Sequence, residues 1–76
     1  MKTPIDKDKL TYLLSEEYNT LNINVKVAHI RKYLYDKKDL RYQPMIENIN
    51  GEVLIDHCCY TQKEEAKKAI DNYIIQ

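Results

Sequence analysis

Asn50-Gly51 constrains this 76-residue chain more than any other feature, because Gly51 is its single glycine. A two-residue Asn-Gly loop favours the type I′ hairpin, whose central residues both need φ > 0. With Ile49 and Glu52 flanking the loop, the register follows. Asn48 is predicted to face Val53, Ile46 to face Ile55, Pro44 to face His57 and Tyr42 to face Cys59. That face is apolar and directs Tyr42, Ile46, Val53, Ile55 and Cys59 to a core. The other face pairs Glu47 with Leu54, Met45 with Asp56 and Arg41 with Tyr60. Pro44 lacks a ladder donor, so its strand is bulged there or lies partly at an edge.

Other elements are read outward from this hairpin. Thr3-Pro4-Ile5-Asp6 has the form of a helix start, with Thr3 as cap, Pro4 at the first helical position and Asp6 at the positive dipole end. Leu10, Leu13, Leu14, Tyr18 and Leu21 recur at helical spacing, so a helix is predicted over about residues 5 to 19. Residues 22–35 fit two periods. Ile23, Val25 and Val27 alternate as in a strand, whereas Ile23, Val27, Ile30 and Leu34 also share a helical face; the cluster of β-branched residues favours the strand. Asp36-Lys37-Lys38-Asp39 is a polar turn. Thr61-Gln62-Lys63-Glu64 has the form of a capping box. Ala66, Ala69, Ile70, Tyr73 and Ile74 then make a helical stripe to the C-terminus. The predicted fold is a single α+β domain over residues 1–76. It is a three-stranded antiparallel sheet with an N-terminal and a C-terminal helix packed on one face, in the order α-β-β-β-α.

The chain is neutral, with twelve Lys and Arg against twelve Asp and Glu, but its charge is segregated. Six of the twelve cations (Lys26, Arg31, Lys32, Lys37, Lys38 and Arg41) fall within 26–41, where Asp36 and Asp39 are the only acids, a local +4. Tyr33, Tyr35 and Tyr42 are interleaved with them. Residues 42–61 hold Glu47, Glu52 and Asp56 and no Lys or Arg. Segregated charge orients a partner. On an exposed strand face Arg31, Tyr33 and Tyr35 stand together with His29 beside them, a mixture that suits nucleic acid. It suits a protein hot spot equally well. The plain alternative is a solvated hairpin whose lysines guard a sheet edge. The acidic residues share a predicted face with Leu54 and Met45. They mark a wet sheet face, a site for a basic protein, or self-association with the basic segment.

Several function classes are disfavoured. No apolar run is long enough to span a bilayer, and MKTPIDKDKL lacks the apolar core of a secretion signal. Cys58 and Cys59 are adjacent, the wrong arrangement for a disulfide framework, so a reducing, cytoplasmic setting is expected. Asp56-His57-Cys58-Cys59 invites a metal or nucleophile reading. On a strand, however, His57 and Cys59 share a face while Cys58 points away, and a closed zinc site needs four converging ligands. With one glycine, no backbone oxyanion hole or phosphate-cradling loop is evident. No metal, cofactor, catalytic residue or small-molecule substrate is expected. Cys59 is read as a buried small hydrophobe and His57 as a core-edge residue.

The order of elements and the run Thr61-Gln62-Lys63-Glu64-Glu65-Ala66-Lys67-Lys68-Ala69 resemble the double-stranded RNA-binding domain, best over residues 51–76. That run is similar to the Ser-Lys-Lys-x-Ala-Lys helix start of the family, whose lysines cross the phosphates of the A-form groove. The resemblance implies phosphate contacts at Lys63 and Lys67. It departs from the family at Glu64, where a second Lys is usual. It departs again in the first interstrand loop, where Asp36-Lys37-Lys38-Asp39 replaces Gly-Pro-x-His. A three-stranded sheet followed by a helix also resembles, in topology, the DNA-binding arm domains of phage integrases. The expected function is a non-enzymatic binding module that contacts nucleic acid through Lys26, Arg31, Lys32, Tyr33, Tyr35, Lys37, Lys38 and Arg41, helped by Lys63 and Lys67. The alternative is an adaptor or inhibitor of the kind phages and mobile elements encode, such as an anti-defence protein, docking on an acidic protein surface by complementarity.

Overall fold

The computed structural model describes residues 2–4, 8–56 and 58–75. Along them run β1 (Lys2–Pro4), β2 (Leu10–Glu17), β3 (Val25–Tyr35), β4 (Asp39–Asn48), β5 (Val53–Ile55), β6 (Cys58–Tyr60) and α1 (Lys63–Asp71). Neighbouring strands are antiparallel, in the spatial order β1-β6-β4-β3-β2, and β5 lies beside β4 ahead of β6. Among the described residues one helix, α1, covers one face of this sheet.

This corrects the expected α-β-β-β-α order. Where a helix was predicted over residues 5 to 19, Leu10–Glu17 is a strand paired with β3 from Leu10↔Tyr35 to Glu17↔His29. Ile5, Asp6 and Lys7 lie outside the described residues. The helical spacing of the leucines was misleading because no core receives them. Leu13 and Leu14 are 44% and 41% exposed, and Leu21 is 99% exposed. Ten of the eleven residues of β3, all but Lys26, are paired with β4 along one edge. Pairing β2 satisfies the other row of main-chain groups, and that tertiary gain outweighs helix propensity. The strand reading of the stretch through Tyr35 is the conformation found.

The β3–β4 turn carries an unusual backbone. Asp36 and Lys37 both have positive φ, 53° and 62°, and the Lys38 N–H donates to the Tyr35 carbonyl (3.1 Å). Asp tolerates the left-handed region; Lys does so at a cost. Lys37→Gly is therefore expected to raise stability by about 0.5–1 kcal/mol, relief of left-handed strain outweighing glycine's unfolded-state entropy. Urea unfolding of the two proteins checks it.

The Asn50-Gly51 hairpin forms, but not as a type I′ turn. Only Gly51 has positive φ, at 83°. The Gly51 N–H donates to the Asn48 carbonyl (3.0 Å) and the Asn48 N–H to the Glu52 carbonyl (2.9 Å). That is the three-residue loop in which a left-handed glycine follows a turn. The extra loop residue shifts the register by one, so Ile46 faces Leu54 and Met45 faces Ile55. Tyr42 faces Tyr60 in place of Cys59. Val53 and Ile55, expected in the core, are 59% and 41% exposed as a result. Ile46 and Cys59 are buried as expected.

Pro44 explains why β5 and β6 are two strands. It sits in a central strand, opposite Ile30 of β3. The hydrogen bonds of Asn48 and Asp56 show that even-numbered residues of β4 face β5. The missing Pro44 donor therefore points at the gap after Ile55. Its carbonyl still accepts from the Asp56 N–H (3.3 Å). The Gln43 side-chain amide donates to the Asp56 carbonyl (2.7 Å).

The core lies between sheet and helix. Val25, Ala28, Ile30, Ile46, Tyr60, Ala66 and Ile70 are buried, with Tyr18, Tyr42, Ala69 and Tyr73 packed around them. Ala28 and Ala66 let helix and sheet approach closely. The helix starts without the expected capping box. Gln62 occupies the N-cap with no side-chain bond, and the Thr61 hydroxyl bonds to the Glu65 carboxylate instead of receiving Glu64 (3.0 Å). Its C-terminus is closed from the β2–β3 loop. The Asn22 side-chain amide donates to the Ile70, Asp71 and Tyr73 carbonyls at 2.9, 3.1 and 2.8 Å. They lie at the helix end, where carbonyls lack intrahelical donors; the Ile70 carbonyl also accepts from the Tyr73 N–H (3.2 Å) and the Tyr73 carbonyl from the Asn24 side-chain amide (3.4 Å). Tyr18 and Thr20 donate to the Asp71 carboxylate (2.8 and 2.7 Å), and that bond holds the Tyr18 phenol above its usual pKa.

Candidate nucleic-acid interface

Alternation along β3 puts Ala28, Ile30, Lys32 and Leu34 on the helix side and His29, Arg31, Tyr33 and Tyr35 on the other. The pairing registers bring their neighbours alongside. Arg31 lies between Ser15 of β2 and Gln43 of β4, and Tyr33 between Tyr12 and Arg41. The helix-free face thus carries a row of aromatic, cationic and polar side chains. Tyr12, Ser15, His29, Arg31, Tyr33 and Met45 line an open groove of about 440 Å³ on it.

The groove is held in shape by its own polar contacts. The Tyr33 hydroxyl donates to Gln43 Oε1 (2.8 Å), and Gln43, only 3% exposed, is fixed in turn by the Asp56 carbonyl. Tyr12 meets Tyr33 edge-to-face, centroids 5.8 Å apart at 70°, while remaining 56% exposed. The Arg31 guanidinium reaches Met45 Sδ at 3.6 Å, a weak acceptor, and forms no ion pair among the described residues. Toward the β3–β4 turn, Arg41 sits over the Tyr35 ring at 5.0 Å and Lys9 approaches the same ring at 6.0 Å. Arg41 Nη1 donates to the Leu40 carbonyl (2.8 Å), and its buried Nε has no hydrogen-bond partner among the described residues. Lys37 and Lys38 are exposed in the turn itself.

The predicted binding residues therefore divide. Arg31, Tyr33, Tyr35 and Arg41 share the helix-free face, with Lys37 and Lys38 at its end. Lys26 occupies the irregularity between Val25 and Val27 and pairs with Glu47 (3.3 Å). Lys32, Lys63 and Lys67 lie on the helix side. Lys63 pairs with Glu16, and Lys67 pairs with Glu64 (3.6 Å) and sits 5.8 Å from the Tyr18 ring centroid. The Lys63 hydrogen bond and charge hold Glu16 below its usual pKa, with Lys32 and Lys67 adding smaller pulls, and Glu16 raises Lys63 in return. Lys63 and Lys67 thus face away from Arg31 and Tyr33.

Tyr12, Ser15, Gln43, Met45 and Lys9 were missed as site residues. Tyr12 and Ser15 were hidden by the helix assigned to their segment. Tyr12 and Leu14 flank Leu13, the extra residue that shifts the β2–β3 register, and such a shift defeats period-two reading. Of the Asp56–Cys59 run, His57 lies outside the described residues, and Cys59 is fully buried. Among the described residues no helix is long and apolar enough to cross a membrane. Compared with protein-family models, curated proteins and solved structures, the chain matches none.

Proposed function

We propose that this protein binds single-stranded nucleic acid on the helix-free face of its sheet. The observation that carries the reading is the Tyr12–Tyr33 pair beside Arg31, which has no ion pair among the described residues, with Tyr35 and Arg41 continuing the row. Exposed rings stack on bases whatever the sequence, and adjacent cations meet the phosphates. A duplex hides its base faces and calls for an element that enters a groove. Helix α1 turns Lys63 and Lys67 elsewhere, both already paired with glutamates, so the single strand is the better fit. Overall neutrality is compatible with this, since the cations are gathered where the rings are.

Fluorescence anisotropy with a labelled ten-nucleotide oligo-dT or oligo-rU, against a duplex of equal length, tests the reading. The single strand is expected to bind more tightly. Three to five phosphate contacts from Lys9, Arg31, Lys37, Lys38 and Arg41 imply a log–log salt slope of about −2 to −3.5. Binding absent at the lowest salt, or preference for the duplex, would remove the proposal.

A further inference from the structure

We infer that the end of the molecule carrying Leu21, Ile23 and Ile49 inserts into the surface of an uncharged lipid membrane, without spanning it. The long axis, 36 Å, runs along the eleven residues of β3, each rising about 3.3 Å. The β3–β4 turn stands at one end of it. At the other end three segments meet. Asn22 and Asn24 of the β2–β3 loop donate to the Tyr73 carbonyl beyond the helix (2.8 and 3.4 Å). The Ile49 N–H of the β4–β5 loop donates to the Asn24 carbonyl (3.2 Å).

The β2–β3 loop is turned inside out. Its polar residues face inward. The Thr20 hydroxyl donates to Asp71 and accepts from the Asn22 N–H (2.7 and 3.0 Å). The Asn22 amide holds the helix C-terminus, and Asn22 Oδ1 accepts from the Asn24 N–H (2.9 Å). Leu21 and Ile23, lying between these residues, stand outward, 99% and 86% exposed. Ile49 and Ile74, from the other two segments, are each more than half exposed. A loop that met only water would have the opposite order, polar side chains out and aliphatic ones in. The hydrogen bonds of Thr20, Asn22 and Asn24 fix the order found, so the apolar patch belongs to the folded state, and such a patch marks a contact site.

Charge and size decide what covers this end. Residues 19–25, 48–51 and 72–75 contain no Asp, Glu, Lys, Arg or His, in a chain of which 32% is charged. They have no charge to offer a phosphate backbone or a charged peptide. Of the charges that border these segments in sequence, Lys26 is paired with Glu47 (3.3 Å), and Glu52 and Asp71 are acids. The border is therefore negative, which disfavours anionic headgroups. The end is about 20 Å across in both directions, a footprint on the order of 400 Å², half the roughly 800 Å² that each partner of a stable protein interface buries. A second copy or another protein is poorly held by so small a contact. A bilayer sets no such minimum. It closes around protruding side chains of any shape, and binding grows with the apolar area immersed. A zwitterionic membrane is the occupant that fits. This end lies away from the aromatic row, and the inference does not depend on the nucleic-acid reading.

The test is flotation with unilamellar vesicles of pure phosphatidylcholine. Wild type is expected to float with them, equally at low and high salt, and less well when phosphatidylserine replaces part of the lipid. Leu21→Ser combined with Ile23→Ser leaves the inward hydrogen bonds in place. It should lower partitioning at least tenfold, since immersing one such side chain is worth about a decade or more, while circular dichroism stays that of wild type. Ile23→Trp, in a chain with no tryptophan of its own, should shift its emission to the blue when vesicles are added. Wild type that stays in the aqueous phase at millimolar lipid overturns the proposal. So does a double variant that floats like wild type, or binding that requires phosphatidylserine and disappears at high salt. A concentration-dependent dimer in sedimentation velocity, abolished by the double substitution, would assign this end to a second copy and overturn it as well.

Discussion

Tyr12→Ala is expected to weaken binding of a ten-nucleotide single strand by about 5- to 150-fold, the equivalent of the roughly 1–3 kcal/mol that one base stacked on an aromatic ring is worth. The fold should tolerate the change. Tyr12 lies in an edge strand, is more than half exposed, and gives up mainly its edge-to-face contact with Tyr33, worth about 0.5–1.5 kcal/mol. Tyr12→Phe keeps the ring and should keep the affinity. The salt dependence separates stacking from charge. Tyr12→Ala should leave the slope of log affinity against log salt where it is, whereas Arg31→Ala should flatten it by about 0.7, one phosphate contact on a single strand. If Tyr12→Ala binds like wild type, the strand does not run over this face.

Asn48→Ala should be among the most destabilising polar substitutions in the chain, costing about 2–3 kcal/mol as three hydrogen bonds are lost at a buried position. Its side chain is 1% exposed. The Oδ1 atom accepts from the Asn50 and Glu52 N–H groups (both 3.0 Å), and the side-chain amide donates to the Tyr73 hydroxyl (3.1 Å). One residue thus ties the β4–β5 loop to the segment after the helix. A domain of this length holds only about 4–11 kcal/mol in total. The melting temperature should therefore fall by roughly 10–20 °C. Asn50→Ala, two positions away, is the control: Asn50 is exposed and contributes its backbone N–H, so its melting curve should stay close to wild type. Equal losses in the two variants would mean that the loop, and not the buried amide, carries the effect.

What could be read in advance follows from how local each determinant is. The Asp36–Asp39 turn and the first part of the helical stripe, Ala66, Ala69 and Ile70, depend on neighbours a few residues away, and both were legible; the expected continuation of the stripe through Tyr73 and Ile74 fails, because the helix ends at Asp71 and Ile74 is exposed. The Asn-Gly hairpin was legible as a hairpin. Its register was not, because the choice between a two-residue and a three-residue loop turns on Asn48, whose side chain accepts two loop N–H groups only once Tyr73 and the core have buried it. Arg31, Tyr33 and Tyr35 could be placed on one face by alternation alone. Tyr12 could not, since Leu10, Leu13 and Leu14 mimic a helix and what recruits them to the sheet is β3, twenty residues downstream. Lys63 and Lys67 were proposed as phosphate ligands on a local pattern. Glu16, which neutralises Lys63, sits in the segment misread as helical, so the pairing was invisible.

The pairing of β1 with β6 has a kinetic consequence. Lys2–Pro4 meets Cys58–Tyr60, so a loop of more than fifty residues closes before that ladder can form. Loop closure grows with the logarithm of length, and long-range pairings of this kind are made late. The β3–β4 ribbon, closed by a tight turn, is the natural nucleus. On the ribosome β1 emerges well before β6 and waits until the residues between them have followed. Of these two strands, the one made earlier must wait longest for its partner.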